Sequence, residues 1–387
     1  MTTSSASTFP QQLLAAAPVQ RYEYFVNWRV VHPKLVQARD ELWQAIRYAG
    51  DRRVIHLFGC TGVGKTTLRL WVEKLLTEEA WEELEQDPDV IPVASVVTPA
   101  PDQGPFSWRD VYVQTMHALG EPKSLIAKKR PNRLQFIPED KLAVAPTLPR
   151  QELRLAMTGC LHMRRVKVLF YDDAQHFQMV TKAQRLQDQM DNLKWTADVT
   201  GTKIVLVGTY DLLHLIDLSG QLARRSASIH FARYHADVKE EFKQFASVVY
   251  AFQRHLPLAE ESNLVDRCDY LYDRCLGCIG ILKDWLVRAL AQALEGGEKR
   301  LTEKRLEACT DVRKLVAVAK EAVAGEQRVY AVDGLYAELQ GLLKSASRLP
   351  TPVTQPDQRV STRKPKGKPG QRAAKRDPVG SVVPEVV

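Results

Sequence analysis

Nine consecutive residues decide the fold: Gly59-Cys60-Thr61-Gly62-Val63-Gly64-Lys65-Thr66-Thr67. Their spacing, G-x-x-x-x-G-K-T, is that of the phosphate-binding P-loop. An apolar run at 54–58 precedes them, and a helical pattern begins at Leu68. Glycines let the backbone approach a polyphosphate closely, and the amides of the loop and of the first helical turn point toward it. A tight glycine turn would be the simpler interpretation, but the order of strand, loop and helix favours a nucleotide site.

This loop predicts ATP and Mg²⁺ as ligands. The Lys65 ammonium can reach the β- and γ-phosphates, and the Thr66 hydroxyl can ligate Mg²⁺. We therefore expect all nine residues, 59–67, to contribute to ATP binding, and Thr66 to bind the metal as well.

A second buried strand is predicted from Val166 onward, and it ends in two acids, Asp172 and Asp173. This is the Walker B pattern, in which a carboxylate at the end of a strand beside the P-loop holds Mg²⁺, usually through water. We expect Asp172 to have that role. The next acid, Asp173, is predicted to orient or activate the attacking water.

Other candidate site residues follow later in the chain. Thr209 ends a predicted strand at the same edge as the P-loop and could contact the γ-phosphate or its water. Arg224 and Arg225 precede a short strand, from which an arginine can reach a neighbouring subunit's γ-phosphate as an arginine finger. A surface salt bridge would explain either arginine singly. Lys283, in a predicted lid helix, is placed to reach back to the nucleotide.

The composition is typical of a soluble globular protein, with 387 residues, 45% hydrophobic and 26% charged. No apolar run reaches about 18 residues, so no contact with a membrane is expected. The N-terminus does not resemble a signal peptide, and the six cysteines are expected to be reduced thiols in a cytoplasm. Cys275-x-x-Cys278 could be a metal or redox pair, but no second pair has zinc-finger spacing, so packing is favoured.

The charge distribution indicates two basic regions. The formal net charge is +8, and the eight Lys and Arg residues between Arg359 and Arg376, with no acid among them, equal that excess. The rest of the chain is therefore nearly neutral, and a local basic cluster stands out on it. Such a cluster is a candidate contact for the DNA backbone, although a solvated loop remains open. Its members are Lys123, Lys128, Lys129, Arg130 and Arg133.

The predicted fold class is α/β: a P-loop core with a parallel sheet flanked by helices, followed by a small helical lid. The expected segments are a disordered leader (1–20), an N-terminal helical segment (21–50), the α/β core (51–235), the lid (236–310), C-terminal helices (311–348) and a basic disordered tail (349–387). The tail is too rich in Pro, Gly and Lys to bury a core.

The combination of P-loop, two-acid Walker B, polar strand end, paired arginines and helical lid resembles the AAA+ ATPases. The order and spacing of the segments resemble more narrowly the TniB/TnsC family of transposition regulators, over about residues 20–310. The segments that carry this resemblance are Gly59–Thr67, Leu169–Gln175, Val205–Leu212, Gln221–Ser226 and Gly277–Leu286.

The resemblance implies a bacterial cytoplasmic protein that assembles with ATP on double-stranded DNA, as a ring or helical filament. It implies partners as well: a transposase and a target-selection protein, with members serving Tn-type and CRISPR-associated transposons. It places Thr209 at sensor 1, Lys283 near sensor 2 and the finger at Arg224 or Arg225. Asp173 stands where the family usually has Glu, which predicts slow hydrolysis.

The resemblance also leaves alternatives open. The DNA contacts of the family come from the interval that holds Lys123–Arg133, and the basic tail could bind either a protein partner or DNA. A helicase-loader-like or ExeA-like AAA+ ATPase is the second interpretation. A nucleotide-gated scaffold with negligible hydrolysis is the third.

Overall fold

The computed structural model describes residues 9–48, 50–101, 106–120, 149–179, 183–216 and 226–346. The chain divides into two compact units, Met1–Tyr330 and Ala331–Val387. Among the described residues, no helix combines the length and the apolar character needed to span a membrane. The predicted basic tail at 349–387 lies outside the described residues.

A sheet of five parallel strands forms the centre of the larger unit, in the order β2-β3-β4-β1-β5. The strands are β1 (Val54–Phe58), β2 (Val93–Val97), β3 (Val168–Asp172), β4 (Lys203–Gly208) and β5 (Ser226–His230). Every residue of β1 and β3 is buried, as expected for strands of a parallel sheet covered by helices. In the register, Phe58 pairs with Gly208 and Tyr171 pairs with Leu206. The carboxyl ends of β1, β3 and β4 therefore meet at one edge.

Helices precede and surround the sheet. They are α1 (Pro18–Asn27), α2 (Pro33–Tyr48), α3 (Lys65–Glu79), α4 (Trp81–Gln86), α5 (Trp108–Ala118), α6 (Arg150–Met163), α7 (Ala183–Thr200) and α8 (Leu212–Ile216). Short 3₁₀ helices span Gln11–Ala15 and Ala174–Gln178. Ser107 caps α5, since Ser107 Oγ accepts a hydrogen bond from Asp110 N at 3.4 Å.

The lid follows β5 and is helical, as predicted. Its elements are α9 (Lys239–His255), a 3₁₀ helix (Val265–Arg267), α10 (Cys268–Cys275), α11 (Ile279–Glu295) and α12 (Glu303–Ala308), and α13 (Val312–Tyr330) ends this unit. The second unit contains α14 (Val332–Ala346), whose apolar side chains Leu335, Tyr336 and Leu339 are exposed.

The larger unit contains two hydrophobic cores, one around the sheet and one in the lid, and the N-terminal segment contributes to both. Leu35, Ala38 and Leu42 of α2 join the core of the sheet. Phe25 of α1 joins the core of the lid instead, next to Phe252. The N-terminal segment thus connects the lid to the sheet, and the loop between α1 and α2 passes the P-loop.

The predicted fold class is confirmed: the protein has a parallel five-stranded sheet flanked by helices, with a helical region after it. The apolar run at 54–58 is β1, the strand predicted from Val166 onward is β3, which begins at Val168, and the strand predicted to end at Thr209 is β4, which ends at Gly208.

Candidate nucleotide-binding site

The P-loop connects the end of β1 to the start of α3. Two of its glycines have left-handed backbone, with φ 79° at Gly62 and φ 117° at Gly64, so a side chain at either position would be strained. Gly62 is also close to the lid, because its carbonyl oxygen accepts a hydrogen bond from Gly280 N at 2.8 Å. A Cβ on Gly280 would lie 2.4 Å from that oxygen. The lid therefore touches the loop through backbone atoms.

Lys65 is the first residue of α3 and its ammonium turns back into the loop. Lys65 Nζ donates hydrogen bonds to the carbonyl oxygens of Gly59 and Cys60, both at 2.9 Å. Burial lowers the pKa of Lys65. A buried cation of this kind gains from a nearby anion, and the phosphates of a nucleotide would supply one.

The Walker B acid lies beside the next residue of the loop. Thr66 Oγ1 donates to Asp172 Oδ2 at 3.3 Å. A hydroxyl and a carboxylate are oxygen donors, which suit Mg²⁺, and this ion commonly takes one or two protein oxygens together with substrate phosphates and water. The residues at this position therefore fit Mg²⁺.

Sequence reasoning missed Arg69, which lies one turn after Lys65 and is buried. Arg69 Nε donates to Asp172 Oδ2 at 3.1 Å, and Arg69 Nη1 donates to Ser95 Oγ at 2.8 Å and to Glu73. The guanidinium thus holds the carboxylate of Asp172 in place from the side of β2. The spacing of Arg69 and Glu73 is the only sequence signal, and it also fits an ordinary surface pair.

The second Walker B acid has an unusual backbone. Asp173 is exposed and has φ 53°, in the left-handed region that Asp tolerates better than most residues. Gln175 Nε2 donates to Asp173 Oδ1 at 3.2 Å, and Gln175 Oε1 accepts from Thr209 N at 3.4 Å. Gln175, which no single-residue prediction included, therefore connects the two predicted catalytic positions.

Thr209 follows β4 at the predicted edge. Its hydroxyl donates to Asp211 Oδ2 at 3.3 Å. Tyr210 is next to it, and its hydroxyl lies 2.9 Å from His230 Nε2 at the end of β5. The polar strand ends therefore lie in one row.

A cavity of about 270 Å³ adjoins the P-loop at Gly64 and Thr67. It is lined by three separate segments of the chain: the N-terminal segment with Trp28 and His32, the loop with Gly64 and Thr67, and the lid helix with Lys283. His32 Nδ1 accepts a hydrogen bond from Leu35 N at 3.3 Å, and burial lowers the pKa of His32 to about 4. His32 is therefore neutral at physiological pH.

Lys283 is at this cavity, where its sequence position suggests, but it contacts the N-terminal segment. Lys283 Nζ lies 3.5 Å from the centre of the Phe25 ring and donates to Phe25 O. Burial lowers the pKa of Lys283 to about 7. The lysine thus links the lid to α1 while lining the cavity.

Two further contacts on the loop come from far along the chain. Thr61 N and Thr61 Oγ1 donate to the carboxylate of Glu321 on α13, at 3.0 and 2.8 Å. Cys60 Sγ lies 3.0 Å from Cys278 Sγ of the lid, and both thiols are buried. Neither contact had a sequence signal.

Several predicted site residues lie outside the described residues. They are Arg224 and Arg225, and the basic cluster of Lys123, Lys128, Lys129, Arg130 and Arg133. The finger and the DNA contacts therefore stay predictions.

The fold and the row of groups at the strand ends define the class: an AAA+ P-loop NTPase fold. Residues 47–216 match the family model described as an AAA domain. No curated protein matches this chain.

Solved structures with a similar fold include three proteins at low sequence identity. The Aeropyrum pernix ORC2 protein in its ADP form is 16% identical, with 75% of this chain and 71% of that chain covered and a TM-score of 0.47. Cdc6p from Pyrobaculum aerophilum is 17% identical, with 74% and 69% covered and a TM-score of 0.47. Drosophila ORC bound to DNA is 16% identical, with 91% and 85% covered and a TM-score of 0.45. At these values the similarity says nothing about function.

Proposed function

We propose that this protein is an ATPase that assembles on double-stranded DNA in an ATP-dependent manner and links target-site selection to transposase recruitment. The observation that carries the ATPase part is the convergence of Lys65, Thr66 and Asp172 at the carboxyl edge of the sheet. An ammonium, a hydroxyl and a carboxylate at a helix N-terminus are what a magnesium-bound polyphosphate needs.

The roles of the residues follow from their contacts. On ATP binding, Lys65 exchanges the carbonyl oxygens of Gly59 and Cys60 for phosphate oxygens. Thr66 and Asp172 would hold Mg²⁺, which neutralises charge on the β- and γ-phosphates. Arg69 keeps the Asp172 carboxylate fixed, so that carboxylate is in place before the ligand arrives.

The cavity beside Gly64 is the proposed site of the base. Its lining is mostly aromatic and aliphatic, and its polar side chains include the neutral His32 ring and the charged groups of Arg29, Lys283 and Asp284. A planar heterocycle stacks well on such side chains.

Slow hydrolysis is proposed from Asp173. Its carboxylate is the acceptor for a proton of the attacking water, and Gln175 sets its direction. Aspartate is one methylene shorter than glutamate, which places the oxygen further from the water. ATP would then be retained long enough to maintain an assembly.

The DNA and transposition parts are supported by the resemblance and by the charge. The basic cluster between Lys123 and Arg133 belongs to the part of the chain outside Arg359–Arg376, and the formal charges of that part nearly cancel. Phosphate-backbone contacts by such residues would be independent of sequence and sensitive to salt. An arginine finger at Arg224 or Arg225 would complete the site of a neighbouring copy, so that ATP would stabilise the contact between subunits.

Electron microscopy with duplex DNA and a non-hydrolysable ATP analogue tests the assembly. We expect rings or filaments with the wild type and none with Lys65→Ala. Lys74→Ala, an exposed lysine of the same helix, is the matched control and should assemble normally. Persistent monomers of the wild type, or normal assemblies of Lys65→Ala, would refute nucleotide-dependent assembly.

Charge reversal at Lys128, Lys129 and Arg130 tests the DNA contact. Binding should weaken equally for unrelated duplex sequences, and the plot of log affinity against log salt should become less steep. An unchanged slope would assign these residues to a solvated loop. Recruitment is tested separately, by pull-down of a transposase encoded next to this gene, with the 349–387 truncation as the comparison.

A nucleotide-gated scaffold with negligible hydrolysis is the second candidate, and the exposed Asp173 favours it. Phosphate release in single-turnover experiments separates the two. Release that is faster than the uncatalysed reaction and lost in Asp173→Asn supports the ATPase.

A further inference from the structure

Helix α13 (Val312–Tyr330) lies against the P-loop and the ends of β4 and β5. Its Glu321 carboxylate accepts two hydrogen bonds from Thr61, one from the loop amide and one from the hydroxyl. Gly325 packs on the Tyr210 ring, where a Cβ would lie 2.0 Å from the nearest ring carbon. Tyr330 meets the His230 ring edge to face, with 5.8 Å between centroids.

The Glu321 contact places an anion on a loop that is built for anions. Thr61 belongs to the phosphate-binding motif, and amides of such loops bind phosphate oxygens. The same carboxylate acts electrostatically on Lys65, where it opposes the lowering of the lysine pKa by burial. Glu321 therefore interacts with both types of group that a polyphosphate would use, the loop amides and the Lys65 ammonium.

A second anchor lies on the next turn of α13. Arg233 Nε and Nη2 each donate to the Glu326 carboxylate at 2.9 Å, and His235 Nε2 lies 3.2 Å from Glu326 Oε1. The Arg233 and His235 partners hold the pKa of Glu326 at about 2, against the opposing effect of burial. This anchor fixes the helix in the position that brings Glu321 to Thr61.

The first half of α13 is much less buried than the second half. Of its nineteen residues, all within the described part, Ala322, Gly325 and Glu326 are the buried ones. Val312, Val316 and Val323 are exposed, at 62%, 48% and 50%. A cavity of about 470 Å³ lies between the first half of α13, the lid helix α11 and the loop. In the second half of α13, Ala322 joins the core of the sheet and Arg328 Nη1 lies 3.0 Å from His214 Nε2. A helix held along one face over half of its length can open locally at a lower cost than global unfolding.

We propose that α13 is an autoinhibitory element, which docks on the loop when the site is empty and is displaced by a nucleoside triphosphate. The proposal rests on the ATP binding proposed above. The Glu321 carboxylate and the phosphate chain are both anions and compete for the same donors, so each weakens the binding of the other. Since such coupling is reciprocal, weakening the dock must strengthen nucleotide binding.

Two variants release the helix by different means. Glu321→Gln removes the charge but keeps a carbonyl oxygen that can accept from Thr61 N. Gly325→Ala introduces a methyl group against the Tyr210 ring and pushes the helix away without touching the loop. Glu295→Gln, an exposed acid at the end of α11, is the matched control for net charge.

Calorimetry with ATPγS and with ADP gives the first readout. We expect Glu321→Gln and Gly325→Ala to bind ATPγS about five- to tenfold more tightly than the wild type, and the control to be unchanged. The gain for ADP should be smaller, because repulsion grows with the charge of the ligand. Unchanged ATPγS affinity in both variants would overturn the proposal.

Hydrogen exchange of the full-length protein gives the second readout. Amides of α13 should lose protection when ATPγS is added to the wild type, and should already be less protected in Gly325→Ala. Equal protection with and without ATPγS, in a protein that calorimetry shows to be saturated, would also overturn the proposal.

The failure of this inference differs from the failure of the proposed function. If the wild type binds ATPγS, Lys65→Ala does not, and both release variants match the wild type, ATP binding stands and autoinhibition falls. If the wild type fails to bind but the release variants bind, autoinhibition is supported. If neither the wild type nor either release variant binds ATPγS, both ATP binding and autoinhibition are refuted.

Discussion

The two sides of the P-loop are built differently. On the phosphate side, Thr66 and Arg69 both donate hydrogen bonds to Asp172, and the three residues come from the P-loop motif, the helix that follows it and strand β3. On the side of the cavity proposed for the base, Trp28, His32 and Lys283 come from the N-terminal segment and the lid. One side is thus supplied by motifs, and the other by the packing of distant segments on two cores.

The two sides also differ in the surroundings of their ionisable groups. The phosphate-side ions have partners, such as the Arg69 guanidinium beside Asp172. On the proposed base side, burial moves the pKa values toward the neutral form, to about 4 for His32 and about 7 for Lys283. Variants on the phosphate side should therefore change chemistry, and variants on the base side should change pH dependence.

Lys65→Ala should have the largest effect, because it removes the buried cation of the phosphate side. We expect ATP affinity to fall at least about 30-fold, since removing one partner of a buried charge pair typically costs about 2–5 kcal/mol. Calorimetry measures it, with Lys74→Ala as the control. A loss below about threefold would mean that the phosphates bind elsewhere.

Asp173→Asn should separate catalysis from binding on the same side. Asparagine tolerates the left-handed backbone and can still pair with Gln175, but it cannot accept a proton from water. Phosphate release should fall about 100-fold, and ATP affinity should stay within about twofold. Asp191→Asn, an exposed acid of α7, is the control. Unchanged release would remove Asp173 from the catalytic role.

His32→Gln tests the base side at acid pH. Burial holds the pKa of His32 at about 4, against 6.5 in the unfolded chain. The unfolded state therefore binds more protons between pH 6.5 and 4, and stability falls as the pH falls through that range. Denaturant unfolding at pH 6.5 and 4.5 should show about 2 kcal/mol less loss in the variant than in the wild type. His117→Gln, which is exposed, should retain the full loss.

Lys283→Met should give the smallest effect, and this effect should appear above pH 7 rather than at acid pH. The folded protein loses this proton near pH 7 and the unfolded chain near 10.5, so stability rises with pH across that range. Urea unfolding at pH 7 and 9 should show a rise in stability that is smaller by roughly 1 kcal/mol in the variant, allowing for the partial exposure of the Lys283 side chain. Lys299→Met, an exposed lysine, is the control. An identical slope in Lys283→Met would mean that Lys283 titrates normally.

The sequence predicted those parts of the site whose residues lie close together in the chain. The spacing of Gly59–Thr67 and the acids after Phe170 predicted the sheet and its polar edge, because a P-loop requires a strand before it and a helix after it. Arg69 could not be predicted to hold Asp172, since an arginine in a helix usually faces water. Glu321 could not be placed on Thr61, because 260 residues separate them and neither lies in a shared pattern.

Cys60 and Cys278, whose sulfurs touch, are 218 residues apart, and this separation has a consequence for the order of synthesis. The P-loop strand leaves the ribosome long before the lid helix, and Phe25 must wait for its neighbours in the lid core. Domains fold as their segments emerge, from the N-terminus onward. The nascent sheet therefore carries the phosphate-binding loop before the lid exists, and the proposed base cavity is complete only once α11 has been made.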